Sequence, residues 1–321
     1  MNSNSDTYDV VVVGGGAAGL GAGLVLGRSR RRVLVVDAGE PRNAPAAHMQ
    51  GYLSRDGMPP AEFLAVGRRE VAAYGVEVAD DRVSAVRPDG AGEFEVGLAK
   101  GRSVHARRVV MATGLVDELP DVPGLAGRWG RDVLHCPYCH GYEVRDQAFG
   151  VLASPVSGIH QALLVTQWSK DVTLFLHTEP EPSADDRERL AVAGVTVVEG
   201  TVTGIAVQDD RLTGVRLADG RVVPRSVLFA GAGARPRDEL LDRLGADTRD
   251  TPFGPYPVVD ADGRTSVPGV WAVGNAAGPK VQVINAAAAG YQAGLTINHE
   301  LVLADIDAGV AARRREAAVR A

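Results

Sequence analysis

The chain has 321 residues, of which 45% are hydrophobic and 23% charged, and its formal net charge is −6. This is the balance of a globular protein long enough for two domains. The sequence has no basic stripe of the kind that binds nucleic acid. It also has no apolar run of the about 20 residues that a membrane-spanning helix needs. Because the polar residues 1–8 lead directly into a strand, with no room for a secretory signal, we expect a soluble, cytoplasmic protein.

The N-terminal elements form a β-α-β pattern. Residues 8–13 predict a buried strand, residues 17–26 a helix and residues 32–36 a second strand, which ends at Asp37. The turn between strand and helix has the sequence Gly14-x-Gly16-x-x-Gly19. The first glycine permits a tight turn, the second lets a pyrophosphate approach the backbone, and the third lets helix and strand pack closely.

The same unit offers groups for both ends of a dinucleotide. The N-terminus of the helix directs N–H groups and a positive dipole at the phosphates. Asp37 lies 18 residues beyond Gly19, where its carboxylate is positioned to accept hydrogen bonds from an adenosine ribose. The pattern predicts a bound dinucleotide but does not by itself separate FAD from NAD.

A second α/β unit follows in the middle of the chain. The later predicted segments are a loop at 38–60, helices at 61–74, 159–168 and 282–303, strands at 108–111, 149–152, 172–176 and 270–273, a strand-rich stretch at 195–229, and linkers at 119–127 and 231–236. The last dozen residues are rich in Ala and Arg, and we expect them to fray. The order of elements predicts an α/β fold of two Rossmann-like domains with three-layer ββα architecture.

Two cysteines, Cys136 and Cys139, are the whole cysteine content of the chain. A structural disulfide usually spans more chain, and a zinc site needs ligands that this sequence lacks, so we expect no metal. The close spacing favours a reversible dithiol/disulfide pair over two buried thiols without a redox role. The next residue, His140, is a candidate to carry protons during thiol exchange. For His135, we favour a solvent-facing residue without a catalytic role.

These motifs together resemble the low-molecular-weight thioredoxin reductases along nearly the full length. The resemblance rests on the N-terminal glycines, Ala112-Thr113-Gly114, the cysteine pair, Gly274-Asn275 and Gln282-Val283. It implies a homodimer, an FAD domain formed by residues 1–117 and 245–321, and an NADPH-type central domain at 118–244 that carries the cysteines. The FAD contacts that it implies are Gly14, Gly16, Ala17, Ala18, Gly19, Asp37, Ala38, Arg42, Asn43, His48, Val83, Ala112, Thr113, Gly114, Gly274, Asn275, Gln282 and Val283.

The central domain departs from the reductase pattern at its nucleotide site. The second phosphate loop, Gly-x-Gly-x-x-Ala in the reductases, has the sequence Ala153-Ser154-Pro155-Val156-Ser157-Gly158 here. Pro155 removes an N–H and adds bulk where a phosphate must approach. The arginines that hold the NADPH 2′-phosphate are replaced by the stretch 177–181, which contains Glu179 and Glu181. Carboxylates repel a phosphate, so we expect NADPH to bind poorly or not at all.

The cysteine turn, Cys-Pro-Tyr-Cys-His-Gly, and the loop 48–57 instead resemble the dithiol oxidases of the gliotoxin and holomycin type. This resemblance implies that a small-molecule dithiol is closed into a disulfide at Cys136. Cys139, as the thiol nearer the flavin, then passes the electrons to FAD, and dioxygen becomes hydrogen peroxide. We therefore expect the pair to rest against the flavin. Asn275 replaces the usual Asp, but an amide still hydrogen-bonds a hydroxyl, so FAD binding is expected to survive.

Two other functions are compatible with the same motifs. The first is a reductase that works in the opposite direction, fed by NADPH or by ferredoxin. The second is a flavin-containing binding partner without catalytic activity, against which the intact cysteine pair argues. The sequence does not name the physiological dithiol.

Overall fold

The computed structural model describes residues 6–155 and 157–320. The strands are β1 Thr7–Val13, β2 Val33–Asp37, β3 Glu77–Asp80, β4 Val83–Pro88, β5 Phe94–Leu98, β6 Ser103–Met111, β7 Leu115–Glu118, β8 Val133–Leu134, β9 Phe149–Leu152, β10 Val172–Phe175, β11 Thr196–Val198, β12 Val202–Gln208, β13 Arg211–Leu217, β14 Val222–Pro224, β15 Val227–Ala230, β16 Gly233–Pro236, β17 Thr248–Thr251, β18 Gly254–Pro257 and β19 Val270–Ala272. The α-helices are α1 Ala17–Arg28, α2 Pro60–Ala72, α3 Pro137–His140, α4 Ile159–Val165, α5 Ala184–Val192, α6 Glu239–Arg243 and α7 Val283–Arg320.

The chain folds into two compact units. The first unit consists of the described parts of Met1–Pro41, Glu62–Leu115 and Pro236–Ala321. The second unit consists of Arg42–Ala61 and the described parts of Val116–Arg235. The segment Arg42–Ala61 therefore belongs with the middle of the chain, although its neighbours on both sides belong to the first unit.

The first unit is built on a seven-stranded sheet with the order β3-β2-β1-β6-β5-β4, and β19 also pairs with β6. The strands from β3 to β6 run parallel, whereas β6, β5 and β4 pair antiparallel. Side chains alternate along β1, so that Val10 and Val12 pack with α1 and α7 while Val11 and Val13 pack on the opposite face. Because both faces are covered, the sheet is the middle layer of an α/β sandwich, as the sequence predicts.

The second unit has a five-stranded parallel sheet with the order β11-β10-β9-β15-β8. A three-stranded antiparallel sheet, β12-β13-β14, packs against it through Val202, Val215 and Leu228. β8, β9 and β15 are parallel neighbours, so the segments that follow them meet at one edge of the sheet. The cysteine turn follows β8, and the loop 153–158 follows β9.

The structure differs from the sequence prediction at several helices. α7 continues to Arg320, so the expectation that the last dozen residues fray is wrong. Ala, Arg and Glu dominate this segment and are strong helix formers. α4 ends at Val165 rather than 168, and the helices α3, α5 and α6 escape prediction because each has nine residues or fewer. In the described ranges, no helix combines the length and apolar character needed to cross a bilayer.

Candidate functional site

The glycine loop joins β1 to α1 at the carboxyl edge of the first sheet. α1 begins at Ala17, and Gly16 precedes it with extended backbone and no side-chain cap. A Cβ on Gly19 would collide with the backbone carbonyl of Gly14, so glycine at 19 is required by the fold itself. The loop has the strand–turn–helix geometry in which the first N–H groups of a helix are left for a phosphate.

Gly16 is the glycine that the fold does not require. Its φ of −76° is open to any residue, and a Cβ built on it meets no described atom within 4 Å. A glycine that faces open space beside a helix N-terminus is suited to close approach by a ligand. Ala17 and Ala18, the next two residues, form the first turn of α1 and add no side chain large enough to obstruct that approach.

Asp37 lies at the end of β2, next to the glycine loop. A Cβ on Gly15 would touch the Asp37 carboxylate, so the two residues are in direct proximity. The carboxylate accepts hydrogen bonds from the Gly39 N–H, at 3.1 Å, and from the Arg68 guanidinium. Ala38 follows it in the loop. Val83, on β4, is buried in the core of the first unit, and its contact with FAD stays a prediction.

The segment Ala112–Thr113–Gly114 follows β6, the neighbour of β1 in the sheet. The Ala112 N–H donates to the carbonyl of Val13 at 2.9 Å, which holds the segment beside the glycine loop. Thr113 Oγ1 is buried and has no hydrogen-bond partner among the described residues. A buried hydroxyl without a partner is suited to a polar group of a bound ligand. Together with the open space at Gly16, it fits the polar part of an FAD molecule.

Gly274 and Asn275 form a short 3₁₀-helix after β19. The Asn275 amide Nδ2 donates toward three carbonyl oxygens of its own loop, those of Gly278, Pro279 and Val281, at 3.1–3.4 Å. Gln282 directly precedes Val283, the first residue of α7, and the Gln282 carbonyl accepts from the Ala286 N–H at 2.8 Å. The amide of Asn275 thus holds the loop that leads into α7.

This arrangement predicts that Asn275→Asp, although it restores the residue usual in the reductases, weakens the site. A carboxylate has no proton to donate and would face three carbonyl oxygens, at a cost of about 1–3 kcal/mol for each unsatisfied buried group. We expect a lower melting temperature and weaker FAD retention, measured by thermal unfolding and flavin absorbance. Asn298→Asp is the matched control, because Asn298 is half-buried in α7 and its Oδ1 accepts from Arg31 Nε at 2.9 Å, an interaction that a carboxylate keeps. Unchanged values in Asn275→Asp would contradict the role of the amide.

Three predicted cofactor contacts, Arg42, Asn43 and His48, lie in the segment assigned to the second unit. The Arg42 guanidinium is engaged by Asp117, with Nε 2.9 Å from Oδ2 and Nη2 2.6 Å from Oδ1. Asn43 is half-buried in the loop, and His48 is exposed. The glycine loop belongs to the first unit and these three residues to the second, and their contact with FAD stays a prediction.

The cysteine turn begins directly after β8 and contains the four-residue helix α3. Cys136 caps this helix with extended backbone, and Pro137 occupies its first position, where a missing N–H costs nothing. Cys136 and Cys139 are joined as a disulfide, with Cα atoms 5.3 Å apart. The Cys139 N–H donates to the Cys136 carbonyl at 3.1 Å, so the turn is closed by backbone as well as by sulfur.

Burial sets the electrostatics of both histidines beside the disulfide. Desolvation lowers the pKa of His140 below its usual 6.5, and Glu143 opposes this only partly. Desolvation also lowers the pKa of His135, and the positive charge of Arg42 adds to the effect. His135 is half-buried, and its Nδ1 lies 3.4 Å from the Ala230 carbonyl oxygen. The prediction that His135 faces solvent is therefore wrong. Both imidazoles are neutral at pH 7 and able to accept a proton.

The lowered pKa values predict how stability depends on pH. Below about pH 6.5 the unfolded chain binds protons at these histidines before the folded protein does, so the free energy of unfolding falls as the pH falls through this range. We expect His140→Asn to have a flatter stability profile between pH 7 and pH 5 than the wild type, measured by denaturant unfolding. His160→Asn, whose imidazole lies outside the cysteine turn, serves as control, and equal slopes in all three proteins would contradict the prediction.

Ser154 and Ser157, in the segment after β9, bond to each other through their backbones. The Ser154 N–H donates to the Ser157 carbonyl at 2.8 Å, and the Ser157 N–H donates back to the Ser154 carbonyl at 3.1 Å. The Ala153 N–H is taken by Phe175, and Pro155 has no N–H; Val156 lies outside the described residues. α4, which follows, has seven residues. The described amides of Ala153, Ser154 and Ser157 are thus already bonded within the protein and are not available to a phosphate.

Sequence reasoning missed two residues near the disulfide. Gln161, in α4, is only 7% exposed, and its Nε2 donates to the His135 carbonyl at 2.6 Å. Trp168 packs edge-on against Tyr138 between the cysteines, with ring centroids 5.6 Å apart, and also against Gly141. Neither residue carries a motif, because the contacts depend on how α4 and its following turn pack beside β8. Within the described part of the chain, no three His, Cys, Asp or Glu side chains cluster as metal ligands would.

Comparison with known proteins agrees with this geometry. A model of the family described as pyridine nucleotide-disulphide oxidoreductase matches residues 8–294. The thioredoxin reductase tcpT of Claviceps purpurea is 32% identical over 320 residues, which covers 95% of this chain and 97% of that protein. The thioredoxin reductase sirT of Leptosphaeria maculans is 31% identical and covers 94% and 96%. The crystal structure of HlmI superposes with a TM-score of 0.92 at 50% identity, covering 97% of this chain and 98% of that chain.

Proposed function

Because the chain belongs to the pyridine nucleotide-disulphide oxidoreductase family, we propose that it oxidises a small-molecule dithiol to a cyclic disulfide and passes the electrons to dioxygen. As a member of this family, the protein is an FAD-dependent disulfide oxidoreductase of thioredoxin reductase-like type. We propose that FAD is held in the first unit, by the glycine loop, Ala112–Gly114 and Gly274–Asn275. The reactive cysteines belong to the second unit. A single reactive cysteine pair, without structural disulfides, also supports a cytoplasmic location.

The reciprocal backbone bonds between Ser154 and Ser157 are the observation that carries the proposed direction of electron flow. A reductase draws electrons from a nicotinamide nucleotide, whose phosphates need free N–H groups and cations. Here the N–H groups of Ser154 and Ser157 each donate to the carbonyl of the other residue. Glu181, in the stretch 177–181, forms an ion pair with Arg187. The described amides of Ser154 and Ser157 are therefore not available to nucleotide phosphates, which favours a dithiol substrate at the cysteine pair as the source of electrons.

The reaction balances as dithiol plus dioxygen giving disulfide plus hydrogen peroxide. A substrate thiolate attacks Sγ of Cys136, the Cys136–Cys139 bond breaks, and Cys139 leaves as a thiolate. The second substrate thiol then displaces Cys136 from the mixed disulfide, and the substrate departs as a cyclic disulfide. The neutral imidazole of His140, adjacent to Cys139, takes up a proton released by the substrate thiols. Bound FAD supplies the two-electron acceptor for the reduced cysteines and the donor for dioxygen.

Oxygen consumption with a small dithiol tests this proposal. Dithiothreitol in air is expected to drive oxygen uptake and peroxide release in equal amounts by the purified holoenzyme. In a parallel anaerobic experiment, NADPH is expected to leave the flavin absorbance unchanged, whereas dithiothreitol bleaches it. Rapid bleaching by NADPH would instead identify a reductase. Absence of turnover with any dithiol would favour a flavin-containing partner without catalysis, and reduction by ferredoxin needs its own assay.

We also propose a homodimer formed through α7. Tyr291, Leu295, Val302 and Ile306 are 40–56% exposed, and their spacing of four, seven and four residues places them on one face of the helix. The double change Leu295→Glu and Ile306→Glu is expected to weaken the dimer by at least about tenfold, since charges would be buried without partners. Analytical ultracentrifugation measures this, with Val319→Glu near the end of α7 as control. A wild-type monomer, or a double variant that dimerises normally, would contradict the proposal.

A further inference from the structure

Ser154 and Ser157, which follow β9, and helix α4 reach across the carboxyl edge of the second sheet to the segment that enters the cysteine turn. In sheet order, β15 lies between β9 and β8, so the loop after β9 must pass over the end of β15 to reach the residues after β8. Gly231, directly after β15, makes this crossing possible. A Cβ there would lie 2.5 Å from Ser157 Cβ and 2.6 Å from Ser154 Oγ.

A chain of two side-chain hydrogen bonds completes the connection. The Ser157 hydroxyl donates to Oε1 of Gln161, and Nε2 of Gln161 donates to the carbonyl of His135 at 2.6 Å. Gln161 is 7% exposed, so both bonds form in a region of low dielectric. The carbonyl of His135 belongs to the peptide bond that leads into Cys136. Its orientation therefore determines the direction in which the first cysteine leaves the strand.

We propose that Gln161 is a positioning residue for the reactive disulfide, and that Ser157 and Gln161 together form a brace that holds the cysteine turn through the His135 carbonyl. The inference rests on the proposed function only in taking Cys136 and Cys139 as a redox-active pair. It holds for either direction of electron flow.

The physical effect of the brace is on the equilibrium between disulfide and dithiol. When Cys136 and Cys139 are reduced, two new S–H groups replace the S–S bond, and only the backbone holds the sulfurs near each other. A fixed His135–Cys136 peptide keeps the two thiols within reach, which raises their effective concentration and favours the disulfide. Without the brace the reduced turn gains conformational freedom, and the disulfide becomes easier to reduce.

Titration of the cysteine pair in the FAD holoenzyme tests this brace. The protein is equilibrated without oxygen in mixtures of reduced and oxidised dithiothreitol, and the free cysteines are counted by alkylation and mass spectrometry. Each reduction converts one dithiothreitol to its cyclic disulfide and one protein disulfide to two thiols. Gln161→Met, which keeps the shape but loses both hydrogen bonds, is expected to lower the constant for disulfide formation about tenfold, equivalent to about 30 mV. Ser157→Ala, which removes only the outer bond, is expected to lower it about threefold.

Ser169→Ala provides the matched control, because Ser169 is 2% exposed in the same unit and its hydroxyl bonds to Gln147, at 2.6 Å, and to Asp171, neither of which belongs to the cysteine turn. It is expected to lose stability without changing the disulfide constant. An unchanged constant in Gln161→Met would overturn the brace while leaving the proposed function intact. If that variant does not fold, Ser157→Ala decides in the same way. A wild-type pair that fails to titrate reversibly would contradict the proposed function together with the brace.

Discussion

A Gly16→Val variant is expected to fold and yet to contain no FAD. The side chain would enter the open space that faces the N-terminus of α1, where a Cβ meets no described atom within 4 Å. Keeping a pyrophosphate away from the α1 amides removes at least two hydrogen bonds to a charged group, worth about 1.5–3 kcal/mol each. The affinity for FAD should therefore fall at least about a hundredfold. The fold should lose only about 1 kcal/mol, through a poorer residue at the helix cap.

Substitutions at two other glycines distinguish a loss of FAD binding from a loss of folding stability. Gly19→Ala places a Cβ against the Gly14 carbonyl and is expected to damage folding as well as FAD binding. Gly127→Val also enters open space, but in the second unit, and is expected to bind FAD normally. Flavin titration of the apoprotein and thermal unfolding distinguish the three variants. Normal FAD affinity in Gly16→Val would show that the glycine loop does not hold the cofactor.

Replacement of Cys136 by serine is expected to reduce dithiol-dependent oxygen consumption by about a thousandfold or more, because it removes the disulfide sulfur that the substrate thiolate attacks. A serine hydroxyl forms no disulfide, so the substrate thiolate has no S–S bond to attack. Cys139→Ser should have the same effect, since the disulfide needs both sulfurs. FAD content should not change in either variant, because the glycine loop lies in the other unit.

The measurement is oxygen uptake with dithiothreitol at equal flavin concentration. Ser29→Ala controls for a general effect of substitution. Ser29 caps the C-terminus of α1 and is distant in sequence from the cysteines. Oxygen uptake that continues at the wild-type rate in Cys136→Ser would mean that the thiols reduce the flavin directly. The cysteine pair would then have no place in the reaction.

Local patterns explain how much of this site could be predicted. The glycine loop, Asp37 at the end of β2 and the cysteine turn are each specified within a few dozen residues, because turns, helix starts and redox pairs depend on short-range geometry. The length of α7 was underestimated for a related reason. Its last turns lack an apolar periodicity, and only their helix propensity indicates that the helix continues.

The sequence by itself determined the two α/β units, the glycine loop between β1 and α1 and the disulfide-capable cysteine pair, since these depend on residue order and spacing. Only the tertiary structure decided what surrounds them: the pairing of Arg42 with Asp117, the burial of His135, the amide of Asn275 turned to its own loop, and Gln161 on the His135 carbonyl. Each of these contacts depends on side-chain direction or on residues distant in the chain, and hydrogen bonds of this kind leave no periodicity in a sequence.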